Sequence, residues 1–366
     1  MKLRCERDAL VEALATASRA TASRGGALPV LSGVRLEVAG SELKVAGCDL
    51  DLTIETSVGI TNGADGVAVA PGRLVVDIVR SLEAGAVLLE ADEEEMRISS
   101  GRAAFAVRLY PADDFPRLPV RDGQALSLPA ADLAAALRQV VPSAATDDTR
   151  PMLTGVLMTS ESGSGLRLVA TDSYRLAKRD IPGASVLAEG QRVLVPARAL
   201  SELQRVISTA EQLTVRLGAT DAGFEVGNVV LTTRLIEGDF PNYNQLIPSH
   251  YPNRLVVSRE TLAEAVRRVR LLVRDATTPV RMSLRDGSIG LRVETQEVGQ
   301  ATEEIDAKYE GSEMTVAFNP SYLIDGIEAA GGEEVVIEVL DALKPATIRP
   351  TEGEDYLYLL MPVRVP

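Results

Sequence analysis

Landmarks recurring about every 125 residues divide this 366-residue chain into three copies of one unit, and that repeat restricts the fold more than any other feature. In the first copy a helical pattern (Leu10, Leu14, Ala17) leads through Leu28 and Pro29 into the alternating run 34–38. A turn containing Gly follows, then 43–45. The same order returns with Leu133 and Leu137, then 156–158 and 166–168, and again with Leu262 and Val266, then 280–284 and 289–291. In each copy a strand then reaches a proline predicted to open a helix. Pro71, Pro196 and Pro320 fall 125 and 124 residues apart (196 − 71 and 320 − 196). A further strand follows each helix, at 87–90, 213–216 and 335–338. Phe115-Pro116 and Phe240-Pro241 close the first two copies, again 125 apart (240 − 115). Boundaries near Arg121 and Pro252 give domains 1–122, 123–252 and 253–366. Two helices among runs of short alternating strands predict an α+β fold, with antiparallel sheets covered on one face by helices.

Composition narrows the setting. No stretch approaches the roughly 18 apolar residues of a membrane span, and the start MKLRCERDAL has no signal-peptide run, so a cytoplasmic chain without a membrane role is expected. Trp is absent and aromatics are 4%, which leaves the core to Val, Leu, Ile and Ala. Cys5 and Cys48 are read as free thiols. One His and no cysteine pair at ligand spacing point to no metal and no cofactor.

The net charge of −14 opposes nucleic-acid binding, since phosphate contacts need cations. Its distribution answers the objection. The six helical stretches (6–24, 73–83, 131–140, 197–207, 259–275 and 320–330) sum to +1, which leaves −15 elsewhere (−14 − 1). Helices gathered on one concave surface would make it near-neutral to basic within an acidic shell, drawing a polyanion inward. Against this, arginines at helical spacing are commonly no more than a solvated face, and only Arg267, Arg268 and Arg270 are dense enough to stand out. Six helices side by side leave a hole of only about 8 Å, whereas twelve leave about 26 Å, enough for duplex DNA. One chain cannot encircle a duplex, but two can.

Four stretches carry a family resemblance: ATDSYRLA at 170–177, EGDFPNY at 237–243, FNPSY at 318–322 and YLLMPVR at 358–364. With them the chain resembles, along its whole length, the bacterial sliding clamps, the β subunits of DNA polymerase III. The resemblance implies a head-to-tail homodimeric ring of the DNA clamp fold, with helices lining the opening and sheets outside. It implies no catalytic site and no cofactor. Its implied partners are duplex DNA held by encirclement, replicative DNA polymerase, an ATP-dependent clamp loader and other clamp-binding repair and replication proteins. Retention by enclosure calls for weak contacts that ignore base sequence.

The resemblance also implies sites. A partner-peptide pocket would use Leu153, Thr171, Ser173, Tyr174, Arg175, Leu176, Pro241, Leu246, Leu359, Leu360, Met361, Pro362, Val363 and Arg364. Apolar walls would supply burial there, and Met would adapt to different peptides. Many members carry Gly-His where this chain has Ser173-Tyr174. The dimer seam would set Leu271 and Leu272 of a third-domain helix against Phe105. Two consecutive leucines cannot both face one core from a helix, which predicts an exposed apolar contact. The DNA-facing candidates are Arg24, Arg73, Arg80, Arg138, Arg198, Arg205, Arg267 and Arg268.

Other patterns have plainer readings. Tyr174 and Lys178 match the Tyr-x-x-x-Lys pair of short-chain dehydrogenases, but Gly25-Gly26 lacks the dinucleotide-binding spacing. Asp49 and Asp51 are expected on one solvated face of a strand, 92–95 at a charged hairpin end, and Gly163 and Gly165 in a turn. His250 has no nucleophile motif near it. The competing function is a repeat-built peptide-binding scaffold that never encircles DNA.

Overall fold

The computed structural model describes residues 1–366 apart from 23–27, 120–122, 162–164, 208–209, 276, 354 and 365–366. Arg24, Gly25, Gly26, Gly163 and the first repeat boundary at 121–122 therefore lie outside the described residues. Six α-helices are present among the described residues: α1 Arg7–Ser18, α2 Gly72–Ser81, α3 Ala130–Val140, α4 Ala197–Ile207, α5 Arg259–Arg270 and α6 Pro320–Ala330. None is long and apolar enough to cross a membrane. The strands of the described residues form sheets of five, eight, nine and four, all paired antiparallel. This is the expected α+β class, with helices among antiparallel sheets.

The chain forms two compact units. The first contains residues 1–131 and 198–235. Its helix α1 buries Leu10, Ala13, Leu14 and Ala17, the i, i+3, i+4, i+7 stripe of an amphipathic helix. That stripe meets Leu36, Val45, Val75, Val79, Val87 and Leu89 in one core. Each fully buried leucine there contributes roughly 1.5–3 kcal/mol. The helix lies so close to the strand Glu42–Cys48 that a Cβ on Gly47 would stand 2.0 Å from the Ala17 carbonyl oxygen. The eight-stranded sheet of this unit is continuous across two repeats, because Val229–Arg234 pairs with Leu52–Gly59 and sets Leu231 opposite Ile54.

The second unit contains residues 132–197 and 236–366. Its nine-stranded sheet joins repeats in the same manner: Arg175–Ile181 pairs with Tyr356–Leu360, placing Leu176 opposite Leu359. Helix α6 crosses the last strand at a glycine. A Cβ on Gly326 would fall 2.4 Å from the Tyr358 ring, and the Tyr358 hydroxyl donates to the Tyr322 carbonyl at 2.8 Å.

The prolines do not all open helices from within. Pro320 sits at the first helical position behind the Asn319 cap. Pro71 and Pro196 instead end strands, and the helices begin one residue later. Helix α5 stops at Arg270, short of the predicted 275.

Candidate functional site

The helices bury one stripe and leave the other to solvent. On α2 the buried side is Val75, Val76 and Val79, and Arg73 and Arg80 are exposed. On α4 it is Ala199, Leu200, Leu203 and Ile207, with Arg198 and Arg205 exposed. Arg138 on α3 and Arg267 and Arg268 on α5 are exposed likewise. All seven described DNA-facing candidates thus lie on solvent-facing helix surfaces. Five have a carboxylate beside them. Arg80 is 3.8 Å from Asp77, Arg205 is 3.8 Å from Glu202, Arg198 pairs with Asp49, Arg267 with Glu328, and Arg268 with Glu303 and Glu264. Arg268 holds the Glu303 carboxyl below its ordinary range by hydrogen bonding. Arg73 and Arg138 make no ion pair among the described residues.

The pocket candidates all belong to the second unit, and those on strands divide between two faces of its nine-stranded sheet. Strand alternation and register put Thr171, Leu176 and Leu359 in one row. Leu176 and Leu359 join Leu157, Val169, Leu194, Leu357 and Tyr243 in an apolar cluster, edged by Met152, Ile236, Phe240 and Ile247. Leu360 is fully buried on the opposite face, beside Arg175 in register. Leu153 is buried as well. Exposed apolar or aromatic surface comes from Tyr174, Leu246 and Met361; Pro241, Ser173 and Arg364 are exposed, and Pro362 and Val363 are half-buried. The Tyr174 carbonyl accepts the Met361 N–H at 2.9 Å, which ties the turn to the C-terminal segment.

The turn itself is held by Asp172. Its Oδ1 accepts the N–H groups of Tyr174 (2.9 Å) and Arg175 (3.0 Å), while Ser173 adopts φ 80°. The Ser173 hydroxyl accepts from Arg150 at 2.7 Å. Arg175 is not free to orient a ligand from the groove. Its side chain is 11% exposed and bonds to Asp172, Asp325 and the Pro142 carbonyl, with its guanidinium 4.3 Å from the Tyr322 ring centre. Burial opposes its charge, but Tyr358, Asp325 and Asp172 more than offset that and hold the guanidinium protonated.

Of the seam candidates, Phe105 lies on Ala103–Arg108, the edge strand of the five-stranded sheet, and is 39% exposed. Leu271 and Leu272 are not on a helix face as predicted. Leu271 caps the end of α5 and is 77% exposed, and Leu272 follows it in a turn, half-buried.

The plainer patterns resolve as follows. Tyr174 precedes the strand that carries Lys178, and four residues of strand span about 13 Å, too far for an acid/base pair. Asp49 and Asp51 are in the turn between two strands, not on a strand face. Asp49 is 9% exposed and bonded to Arg198. Asp92 caps its hairpin by accepting the Glu94 and Glu95 N–H groups. Among the described residues no group of three His, Cys, Asp or Glu could hold a metal ion. Sequence reasoning missed Asp325 and Tyr322 around Arg175, and Asp49 on Arg198. Their partners are 150, 147 and 149 residues distant (325 − 175, 322 − 175 and 198 − 49), and nothing local announces them.

The described surfaces are thus exposed arginines on helices, an apolar cluster beside a fixed turn, and an open strand edge, carried on helices and antiparallel sheets that recur along the chain. The family models of the DNA polymerase III beta subunit match in order along the chain: its N-terminal domain at residues 1–119, its central domain at 127–242 and its C-terminal domain at 244–364. The chain is 34% identical to the beta sliding clamp of Streptomyces coelicolor and 33% identical to that of Synechocystis, covering 100% of both partners in each case. Its fold matches the crystal structure of the Bacillus subtilis DNA polymerase sliding clamp with a TM-score of 0.93 at 29% identity, covering 100% of both chains. A DnaN sliding clamp from Bartonella birtlesii bound to griselimycin gives 0.93 at 31%, again over 100% of both. The chain belongs to the DNA polymerase III beta subunit family, the bacterial sliding clamps. It is a DNA-replication clamp by family and, like the family, non-catalytic.

Proposed function

We propose that two copies of this chain close head-to-tail into a cytoplasmic ring that encircles duplex DNA and tethers replicative polymerase to it. The exposed helix arginines carry this reading. Arg73, Arg80, Arg138, Arg198, Arg205, Arg267 and Arg268 all lie on the solvent side of helices whose other side is buried. Domains 1–122, 123–252 and 253–366 would supply two helices each. Phe105 of one copy would meet Leu271 and Leu272 of the other. The open strand edge at Phe105 and the exposure of Leu271 support that seam, because a free edge and a protruding leucine are both relieved by association.

Partners would dock a short extended peptide against the Leu176–Leu359 cluster, with Tyr174, Leu246 and Met361 as exposed, adaptable contacts, Thr171, Ser173, Pro241 and residues 362–364 around them, and Leu360 buried on the opposite face of the sheet. In this reading Arg175 is a positioning residue for the turn. An ATP-dependent clamp loader would open the ring, and repair proteins would share the peptide site. The test is retention on a nicked circular plasmid, after loading, against the same plasmid cut once. A clamp stays on the circle and runs off the cut molecule, whereas a peptide scaffold that does not encircle DNA treats both alike.

A further inference from the structure

A cavity of about 620 Å³ in the first unit brings together Arg19, Arg73 and Arg198, with Thr21, Asp49 and Asp51 around them. The three guanidinium groups come from the end of α1, the first turn of α2 and the first turn of α4. Arg73 has no ion pair among the described residues, and the nearest carboxylate to Arg19 is Glu202 at 4.0 Å. The start of α2 has no side-chain cap, so its positive dipole end adds to the site. Two carboxylates oppose them, Asp51 and Asp49, and of these Asp49 stands against Arg198. The two partners differ in freedom. Asp49 Oδ1 accepts the Asp51 N–H at 3.1 Å and the Leu52 N–H at 2.8 Å, which fixes the carboxylate in its turn at 9% exposure. Arg198 is 56% exposed on a flexible stem.

We infer that this cavity is a seat for one DNA backbone phosphate, and that Asp49 is a fixed competitor that keeps the seat weak. The inference rests on the encirclement reading and adds a mechanism to it. A phosphate entering the cavity meets Arg73 directly but gains Arg198 only by drawing it off an anchored carboxylate. Binding and release at the seat therefore exchange one anion for another at Arg198, so each step along the duplex costs little. A ring that moves needs this property, and three unopposed arginines would not supply it.

The experiment measures equilibrium binding of the full chain to a short fluorescent duplex with open ends, across salt from roughly 50 to 200 mM. Asp49→Asn keeps an oxygen for the turn and removes the charge. It is expected to steepen the log–log salt slope by about 0.9 and to tighten binding at the lowest salt about two- to fivefold. Arg73→Ala should flatten the slope by about the same amount, and adding Arg198→Ala to Asp49→Asn should abolish the gain. Glu94→Gln makes the same charge change at an exposed hairpin and should leave the slope unchanged. If Asp49→Asn does not fold, Asp49→Ser retains a capping oxygen and is read in its place. Equal gains from Asp49→Asn and Glu94→Gln, or no effect of Arg73→Ala, would overturn the inference. Failure of encirclement shows separately, as equal loss from circular and cut plasmid.

Discussion

The turns at 49–52 and 172–175 are the same device put to opposite uses. They lie 123 residues apart (172 − 49), each joining two antiparallel strands in its own repeat. In both, an Asp side chain accepts two backbone N–H groups, two and three residues on. In both, the next residue is a non-glycine forced to positive φ, Leu50 at 84° and Ser173 at 80°. The first turn pairs its Asp with Arg198, whose side chain is 56% exposed. The second pairs its Asp with Arg175, 11% exposed and held also by Asp325. A repeat thus supplies a rigid anionic turn, and the exposure of the captured guanidinium decides whether it fastens the fold or adjusts a surface.

The largest expected contrast is in stability. Arg175→Ala leaves Asp172, 13% exposed, without its cation, and should cost about 3 kcal/mol in denaturant unfolding. Arg198→Ala should stay within about 1 kcal/mol: Asp49 is as buried as Asp172, but the guanidinium it loses is 56% exposed and already screened by solvent, whereas Arg175 is buried and also holds Asp325. Equal losses would dissolve the distinction between the two turns. A smaller effect is expected from relieving the left-handed residue. Leu50 is 47% exposed, so Leu50→Gly loses little burial and should gain up to about 1 kcal/mol in the same assay. Ser173→Gly should be neutral within about 0.5 kcal/mol, since the relief is offset by loss of the 2.7 Å bond from Arg150. A clear gain there would mean that the Arg150 contact contributes nothing. Smallest of all, Tyr174→Ala should leave the unfolding midpoint unchanged, the ring being 62% exposed. A drop would place that ring in the fold and not in the groove.

The repeats, the strand runs and the helices were legible because each follows a local rule of periodicity or punctuation, as at Leu10, Leu14 and Ala17. The direction of each arginine was not read from the sequence; it emerges with the fold, as where Val75, Val76 and Val79 are buried and leave Arg73 and Arg80 to solvent. Strand pairing between repeats was not. Leu231 meets Ile54 across 177 residues (231 − 54), and the periodicity of either strand carries no record of its partner. The end of α5 was hidden by Leu271, Leu272 and Val273, which continue an apolar run with no Gly or Pro to mark the stop. The turn at Asp49 was hidden by Leu50, a residue that local propensity does not assign to positive φ.

In the proposed function closure, and not adhesion, keeps this protein on DNA. Its most direct test is the lifetime of the loaded clamp on closed circular DNA as salt is raised. The prediction is a lifetime nearly unchanged from about 50 to 200 mM, a range over which a binder held by 6–10 phosphate contacts would lose roughly 10³–10⁵ in affinity. A lifetime that falls by orders of magnitude over that range would contradict it.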